Sequence, residues 1–225
     1  MAIPTRVLGR TGFEVTVLGY GAMELRGLPR GPEVSDEDAE RVLNAVLDSG
    51  INLIDTSVDY GRSEELIGRF LSARRDEFFL CSKCGCPLSV PPDTPAPYPH
   101  DYTAENVRAD VEQSLRRLQT DRLDLVQVHM SPTLEDLRDG GTIEELVELR
   151  EEGKIRFIGM SGTLPELPDH IDMASSTSSR SRTRCSSAAM RGGSRAPVRP
   201  VPACSFGAGS AAAPPPRTRA GRSSR

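Results

Sequence analysis

At 225 residues and 24.4 kDa the chain allows one large domain or two small ones, and its formal net charge of −4 hides two unlike parts. All 32 acidic residues precede residue 174, so the first 173 residues carry a net −14, while the last 52 hold ten Arg and no Lys, for +10. No apolar run approaches the roughly 20 residues of a membrane helix, the first ten residues lack a signal peptide's apolar stretch, and five Cys without a secreted spacing exclude a disulfide scaffold.

In chain order, residues 5–8 and 13–16 flank Gly9-Arg10-Thr11-Gly12, a small hairpin in which Gly12 supplies a positive φ. The run 15–18 continues into Gly19-Tyr20-Gly21-Ala22-Met23, an apolar stretch closed by glycines. Ser35 offers an N-cap with acidic residues behind it, and Ala39, Val42, Leu43, Val46 and Leu47 recur at helical spacing up to Gly50. Residues 51–54 read as a buried strand, 63–71 as a helix, 78–81 as a strand and 103–118 as a long amphipathic helix. A strand at 123–128, a helix over 142–152 ending at Gly153 and a strand at 155–160 complete the pattern.

These are five β/α units of about 30 residues each, the pattern of a parallel sheet with helical crossovers. An open doubly wound sheet and a barrel both fit. A dinucleotide-binding open sheet should show Gly-x-Gly-x-x-Gly after its first strand; Gly19 and Gly21 are followed by Glu24 where the third glycine belongs. A complete eight-stranded barrel takes about 250 residues, so five units in 173 residues have the pitch of a barrel that stops early.

Four polar residues fall where a barrel places its chemistry. Asp55 follows the second strand, Tyr60 comes five residues later, Lys83 follows the third strand and His129 ends the fourth. Singly, the Asp reads as a turn residue, the Tyr as loop packing and the His as a structural residue. Lys83 stands out because the chain has only two lysines, Lys83 and Lys154, against 26 arginines. Together the four put an acid, a phenol, an ammonium and an imidazole at the C-terminal strand ends, where barrel active sites lie. A Tyr beside a buried Lys has its phenolate favoured, and an Asp paired to that Lys keeps the ammonium charged. Such a Tyr is a general acid for a carbonyl being reduced. Cys81, Cys84 and Cys86 lie astride Lys83 without the second ligand pair that a tetrahedral zinc site takes, so no metal site is expected. Residues 87–99, with six prolines, read as a loop over the mouth that shapes substrate access.

Leu18-Gly19-Tyr20-Gly21-Ala22-Met23, Asn52-Leu53-Ile54-Asp55-Thr56 with Tyr60-Gly61, Ser82-Lys83, Leu123-Asp124-Leu125-Val126-Gln127-Val128-His129 and Ile155-Arg156-Phe157-Ile158-Gly159-Met160-Ser161 follow one another in an order that resembles the aldo-keto reductases, over roughly residues 6–173. The resemblance implies a (β/α)8 TIM barrel, here incomplete, with Asp55, Tyr60, Lys83 and His129 as its catalytic tetrad. It implies that Tyr60 protonates the substrate oxygen as NADP(H) delivers hydride, that Lys83 and Asp55 tune Tyr60, and that His129 orients the carbonyl. The cofactor contacts it implies are Gly21, Ala22, Met23, Asp55, Ser161 and Gly162, the last standing where the family has Asn. Its substrates are small-molecule carbonyl compounds, namely aldehydes and ketones including sugars. Neither nucleic acid nor membrane is an expected partner, the cytoplasm is the expected compartment, and oligomeric state is not legible.

Residues 174–225 are a different material. Of these 52 residues, 43 are Arg, Ser, Ala, Pro or Gly, which cannot bury enough apolar surface to offset the entropy of ordering them. The domain boundary is therefore expected at 173, with a disordered tail beyond. The Arg-rich, Lys-poor composition fits GC-rich coding DNA, and residues 174–184 can be encoded so that one inserted G reads Gly-Val-Phe-Asp-Val-Phe-Gln-Ile-Pro-Tyr-Ser. That string is similar to the family's sixth strand, including a Gln the family places by the nicotinamide, so the tail reads as out of frame. A barrel stopping after five strands leaves strand edges unpaired and lacks the later loops that the family uses for the NADP 2′-phosphate and adenine; impaired or absent activity is the expectation. The rival reading is a non-catalytic binding or regulatory protein whose +10 tail binds nucleic acid or anionic membrane through charge. The tail has no aromatic residue but Phe206, and the intact tetrad favours the reductase.

Overall fold

The computed structural model describes residues 2–87 and 99–180. It opens with an antiparallel hairpin of β1 (Thr5–Val7) and β2 (Glu14–Thr16), turned through Gly9 and Gly12, whose φ values are 52° and 74°. Five parallel strands follow, lying side by side in chain order: β3 (Tyr20–Gly21), β4 (Leu53–Asp55), β5 (Phe79–Cys84), β6 (Leu123–His129) and β7 (Ile155–Ser161). Between them run α1 (Asp36–Asp48), α2 (Ser63–Leu71), α3 (Ala104–Leu118), α4 (Leu134–Asp139) and α5 (Thr142–Glu151); α6 (Leu167–Arg180) follows β7. The five β/α units expected from the sequence are all present, as a barrel-like parallel sheet.

The period-2 alternation of the strands separates two apolar layers. Ile54, Leu80, Cys84, Val126 and Val128 face the helices and join Leu43, Leu66, Ile67, Val107, Val111 and Leu146 in the main core. Leu53, Phe79, Cys81 and Leu125 face the concave side, where Leu8 and Val15 of the hairpin complete a second cluster. Phe13 plugs that end, its ring 5.2 Å from Phe79 and 6.1 Å edge-on from Phe157. The concave side is therefore apolar at the N-terminal ends of the strands. Its next positions along the same strands are Asp55, Lys83 and Gln127, and beyond them His129, paired in register with Ser161.

Helix termini follow their sequence signals. The Ser35 hydroxyl accepts from Asp38 N at 3.0 Å and the Thr103 hydroxyl from Asn106 N at 3.3 Å, each closing one orphan donor of a first turn. α2 and α3 meet through Gly68, where a Cβ would overlap the carbonyl of Arg117.

Several elements differ from the sequence reading. The run 15–23 is not one strand: Thr16 N donates to Asn52 Oδ1 at 2.7 Å, Val17 and Leu18 turn outward, and β3 begins only at Tyr20. Ala22–Arg26 winds into a 3-10 turn. β5 extends to Cys84 because six successive residues are buried on both faces, so Lys83 lies within the strand rather than after it. α4 was not anticipated, although Thr133 and Asp136 form a complete capping box. α6 runs to Arg180, seven residues beyond the expected boundary at 173. Most of the proline-rich stretch, 88–98, and the tail from 181 lie outside the described residues. Among the described residues no helix is long and apolar enough to cross a membrane.

Candidate active site

The structure brings Asp55, Tyr60, Lys83 and His129 together at the C-terminal ends of β4, β5 and β6. Lys83 is 4 % exposed, a costly position for an ammonium unless it is paired. Its Nζ donates to Asp55 Oδ2 at 2.7 Å and to the Thr56 carbonyl at 2.6 Å. The same nitrogen lies over the Tyr60 ring, 4.8 Å from its centroid. Tyr60 reaches this place because Asp55–Gly61 leaves β4 as a tight loop, with Tyr60 N bonded to the Ser57 carbonyl and φ +47° at Gly61. A side chain at Gly61 would overlap the Arg26 backbone, so this turn admits only glycine. The Tyr60 and His129 rings stand 6.2 Å apart and nearly perpendicular.

Charge balance within the cluster is not quite as the sequence suggested. Burial works against the Lys83 ammonium, but Asp55 and Tyr60 outweigh it and hold its pKa above the ordinary lysine value. For Tyr60 burial is the largest influence and raises the phenol pKa; Lys83 pulls it down and Asp55 pushes it up. The expected net preference for phenolate is therefore corrected: the phenol is held protonated, with Lys83 placed to stabilise the phenolate it would leave. Burial, then Lys83 and His100, lowers His129 to about 3, which keeps its imidazole neutral.

Three supporting residues were not anticipated. Gln127, fully buried on the concave face of β6, donates through Nε2 to the second oxygen of Asp55 at 2.9 Å, and its own Oε1 is buried with no hydrogen-bond donor. Its signal in the sequence is parity, two residues before His129 on a strand otherwise apolar on that face. Asp110 lies on the buried stripe of α3 with Val107, Val111 and Ser114, and accepts from Gly85 N at 2.8 Å and Cys86 N at 3.0 Å. Burial pushes its carboxyl up to about 8 against those two bonds. Tyr102 donates from its hydroxyl to the His129 carbonyl at 3.0 Å, and Met130, the next residue, takes φ +62°, turning the chain sharply away from the mouth. Cys86 Sγ lies 3.1 Å from His129 Nδ1. Burial, followed by Asp110, raises the thiol well above its ordinary value, so the thiol keeps its proton and can donate a hydrogen bond to Nδ1, which goes with the tautomer that carries its hydrogen on Nε2.

Of the expected cofactor contacts, Gly21 ends β3 in register with Asp55, and a Cβ there would meet nothing within 4 Å. Ala22 is fully buried, its carbonyl accepting from Ser63 Oγ at 2.9 Å, and Met23 is half-buried in the turn. Ser161 ends β7 beside His129. Gly162 is buried, and a Cβ there would come within 3.2 Å of His170 Nδ1 and 3.4 Å of Met160 and Ser131. His170 occupies the space a larger residue would need, held by a 2.7 Å bond between its Nε2 and the Pro132 carbonyl.

The model of the aldo/keto reductase family matches residues 17–186, three quarters of the chain and every strand of the sheet. The chain belongs to the aldo/keto reductase family. It is similar to the L-galactose dehydrogenase of Arabidopsis thaliana, 36 % identical over 172 residues covering 71 % of this chain and 49 % of that protein. The D-threo-aldose 1-dehydrogenase of a Pseudomonas species is 32 % identical over 174 residues, covering 69 % and 52 %. Among solved structures, a putative aldo-keto reductase from Pseudomonas aeruginosa superposes with TM-score 0.60 at 38 % identity, covering 70 % of this chain and 60 % of that one. The holo form of an aldo-keto reductase from Bacillus halodurans superposes with TM-score 0.64 at 32 % identity, covering 74 % and 53 %. The chain spans about half the length of the curated relatives it matches. In this member of the family the four clustered side chains lie at the end of the sheet where barrel enzymes keep their chemistry.

Proposed function

We propose that this chain carries the proton-donating centre of an NADP(H)-dependent carbonyl reductase, with Tyr60 as general acid. The observation that carries the reading is the buried Asp55–Lys83 pair, 2.7 Å long, set beneath the Tyr60 ring. A carbonyl oxygen entering the mouth meets the Tyr60 hydroxyl, which burial keeps protonated and ready to donate. The neutral His129 offers Nε2–H to the same oxygen and fixes its direction. As the oxygen takes the phenolic proton, the Lys83 ammonium faces the new phenolate, and Asp55, braced by Gln127, keeps that ammonium charged and in place.

The residues present fit the nicotinamide end of the cofactor. Gln127 Oε1 is a buried acceptor with no donor at the floor of the mouth, and Gly21 leaves open space at the first strand end. Ser161 with Gln127 would hold the carboxamide, and Gly21, Ala22 and Met23 would border the ring. Bound NADPH supplies hydride to the carbonyl carbon. Sugars head the substrate class, since relatives of this chain include proteins named for galactose and aldose dehydrogenation. The test is NADPH oxidation followed by absorbance with small aldehydes, ketones and aldoses. Slow carbonyl-dependent loss of NADPH with at least one of them, impaired because the shared span is only about half of the relatives' length, is the expected result; absence of it with every class would sink the reading.

A further inference from the structure

We propose that Cys86, His100 and His129 form a binding site for a thiophilic divalent cation of the zinc class, at the mouth but apart from the Asp55–Lys83 pair. One donor atom from each of the three lies within 4.8 Å of the other two. Cys86 Sγ and His129 Nδ1 are 3.1 Å apart, and the His100 and His129 rings stand 5.3 Å apart and nearly perpendicular. Zinc bonds of about 2.3 Å to sulfur and 2.0–2.1 Å to imidazole nitrogen in a tetrahedron put S and N roughly 3.6 Å apart. The thiol–imidazole pair therefore opens by about half an ångström, and the widest pair, at most 4.8 Å, closes by no more than about 1.5 Å, movements within reach of side-chain torsions.

The backbone beneath these ligands is fixed from both sides. Asp110 accepts from the Gly85 and Cys86 amides as the chain leaves β5, and Tyr102 ties down the His129 carbonyl at the end of β6 while its ring stacks on His100. The other two described cysteines cannot contribute: Cys81 belongs to the concave apolar cluster and Cys84 to the helix-facing core. This is why cysteine spacing alone pointed to no metal, since the partners of Cys86 are histidines, His129 from the end of the neighbouring strand β6 and His100 from just before α3. One thiolate and two imidazoles favour Zn2+ over Mg2+ or Ca2+. A divalent charge replaces the thiol proton on coordination, which passes to solvent. Three protein ligands leave a fourth position open toward the mouth.

The site rests on the placement of three side chains and not on the reductase reading. Its test is titration of the 225-residue chain with Co2+ alone, reading thiolate-to-metal charge-transfer absorption, followed by displacement with Zn2+. The expected result is one Co2+ per chain with a charge-transfer band that Zn2+ abolishes. In Cys86→Ala the band disappears, and in His100→Ala affinity falls by more than about tenfold, the lower bound set by losses of even outer-shell partners. Circular dichroism on both variants checks that they fold, and Cys86→Ser, which keeps size and a hydrogen bond but not the soft ligand, replaces Cys86→Ala if that variant does not. No band in the unaltered chain, or a band that survives loss of the Cys86 thiol, would overturn the proposal. Co2+ binding without carbonyl reduction would sink only the reductase reading, and reduction without a Co2+ band would sink only the metal site.

Discussion

Lys83 is a burden on the fold and, in the function proposed above, the centre of its chemistry. An ammonium 4 % exposed costs several kcal/mol of hydration, and the Asp55 carboxylate and the Thr56 backbone carbonyl offset that cost only because both converge on it. Lys83→Met should lower carbonyl reduction by about 10²-fold or more. A structural role alone would not move the pH profile, whereas loss of the ammonium removes the influence that lowers the Tyr60 pKa. The alkaline limb of the rate should therefore shift to higher pH; an unshifted limb would separate Lys83 from Tyr60. Glu64 is a second buried charge, fully enclosed on α2, with Oε1 accepting from Ser82 at 2.6 Å. Burial raises its pKa against the pull of Ser82, Ser114 and Arg117. In the unfolded chain a glutamate ionises near about 4.3, so above that pH the folded state holds a proton the unfolded state has released. Stability from this group is complete below that value and is lost as pH rises through the folded pKa. Thermal melts of Glu64→Gln across pH should show a flatter decline in Tm above the ordinary carboxylate range. A slope equal to that of the unaltered chain would show that Glu64 does not govern it.

At the scale of elements, Gly68 sets how closely α2 approaches α3. A methyl group there meets the Arg117 carbonyl and the Leu118 backbone, neither of which can rotate away. Gly68→Ala should lose about 1–3 kcal/mol by overpacking, read as a lower urea midpoint with the same slope, and an unchanged midpoint would mean the helices separate freely. The helices and strands were legible where burial has a single period. Ser63–Leu71 matches its expected span, and Leu123–His129 and Ile155–Ser161 each run only one residue longer than expected. The first barrel strand was less so. Val17 and Leu18 are apolar but exposed, because Thr16 is pinned to Asn52, a contact 36 residues away that no local pattern announces. The clustering of Asp55, Tyr60, Lys83 and His129 was legible as residue types at or just beyond strand ends. Gln127, Asp110 and Tyr102 were not, since each acts through a partner brought from another element. The sign of the Tyr60 shift was missed because burial competes with Lys83, and only the packed structure says which is larger.

Across the molecule, apolar and polar halves of the concave face divide the labour. Phe13, Phe79 and Phe157 seal the N-terminal end, which leaves the C-terminal end free to carry Asp55, Lys83, Gln127, Tyr60 and His129 without loss of the core. The described sheet has β3 and β7 at its edges, and the matched relatives are about twice as long as the span they share with this chain. The central claim is that Tyr60, tuned by Lys83 and Asp55, gives the proton as hydride arrives. The most direct measurement is transfer of deuterium from NADPH labelled at the nicotinamide 4-position to the carbinol carbon of the product, comparing the unaltered chain with Tyr60→Phe. The account predicts label on that carbon in the unaltered chain and a transfer rate lower by about 10²–10⁴ in Tyr60→Phe, with unchanged circular dichroism. Equal transfer in the two proteins, or none in either, would contradict it.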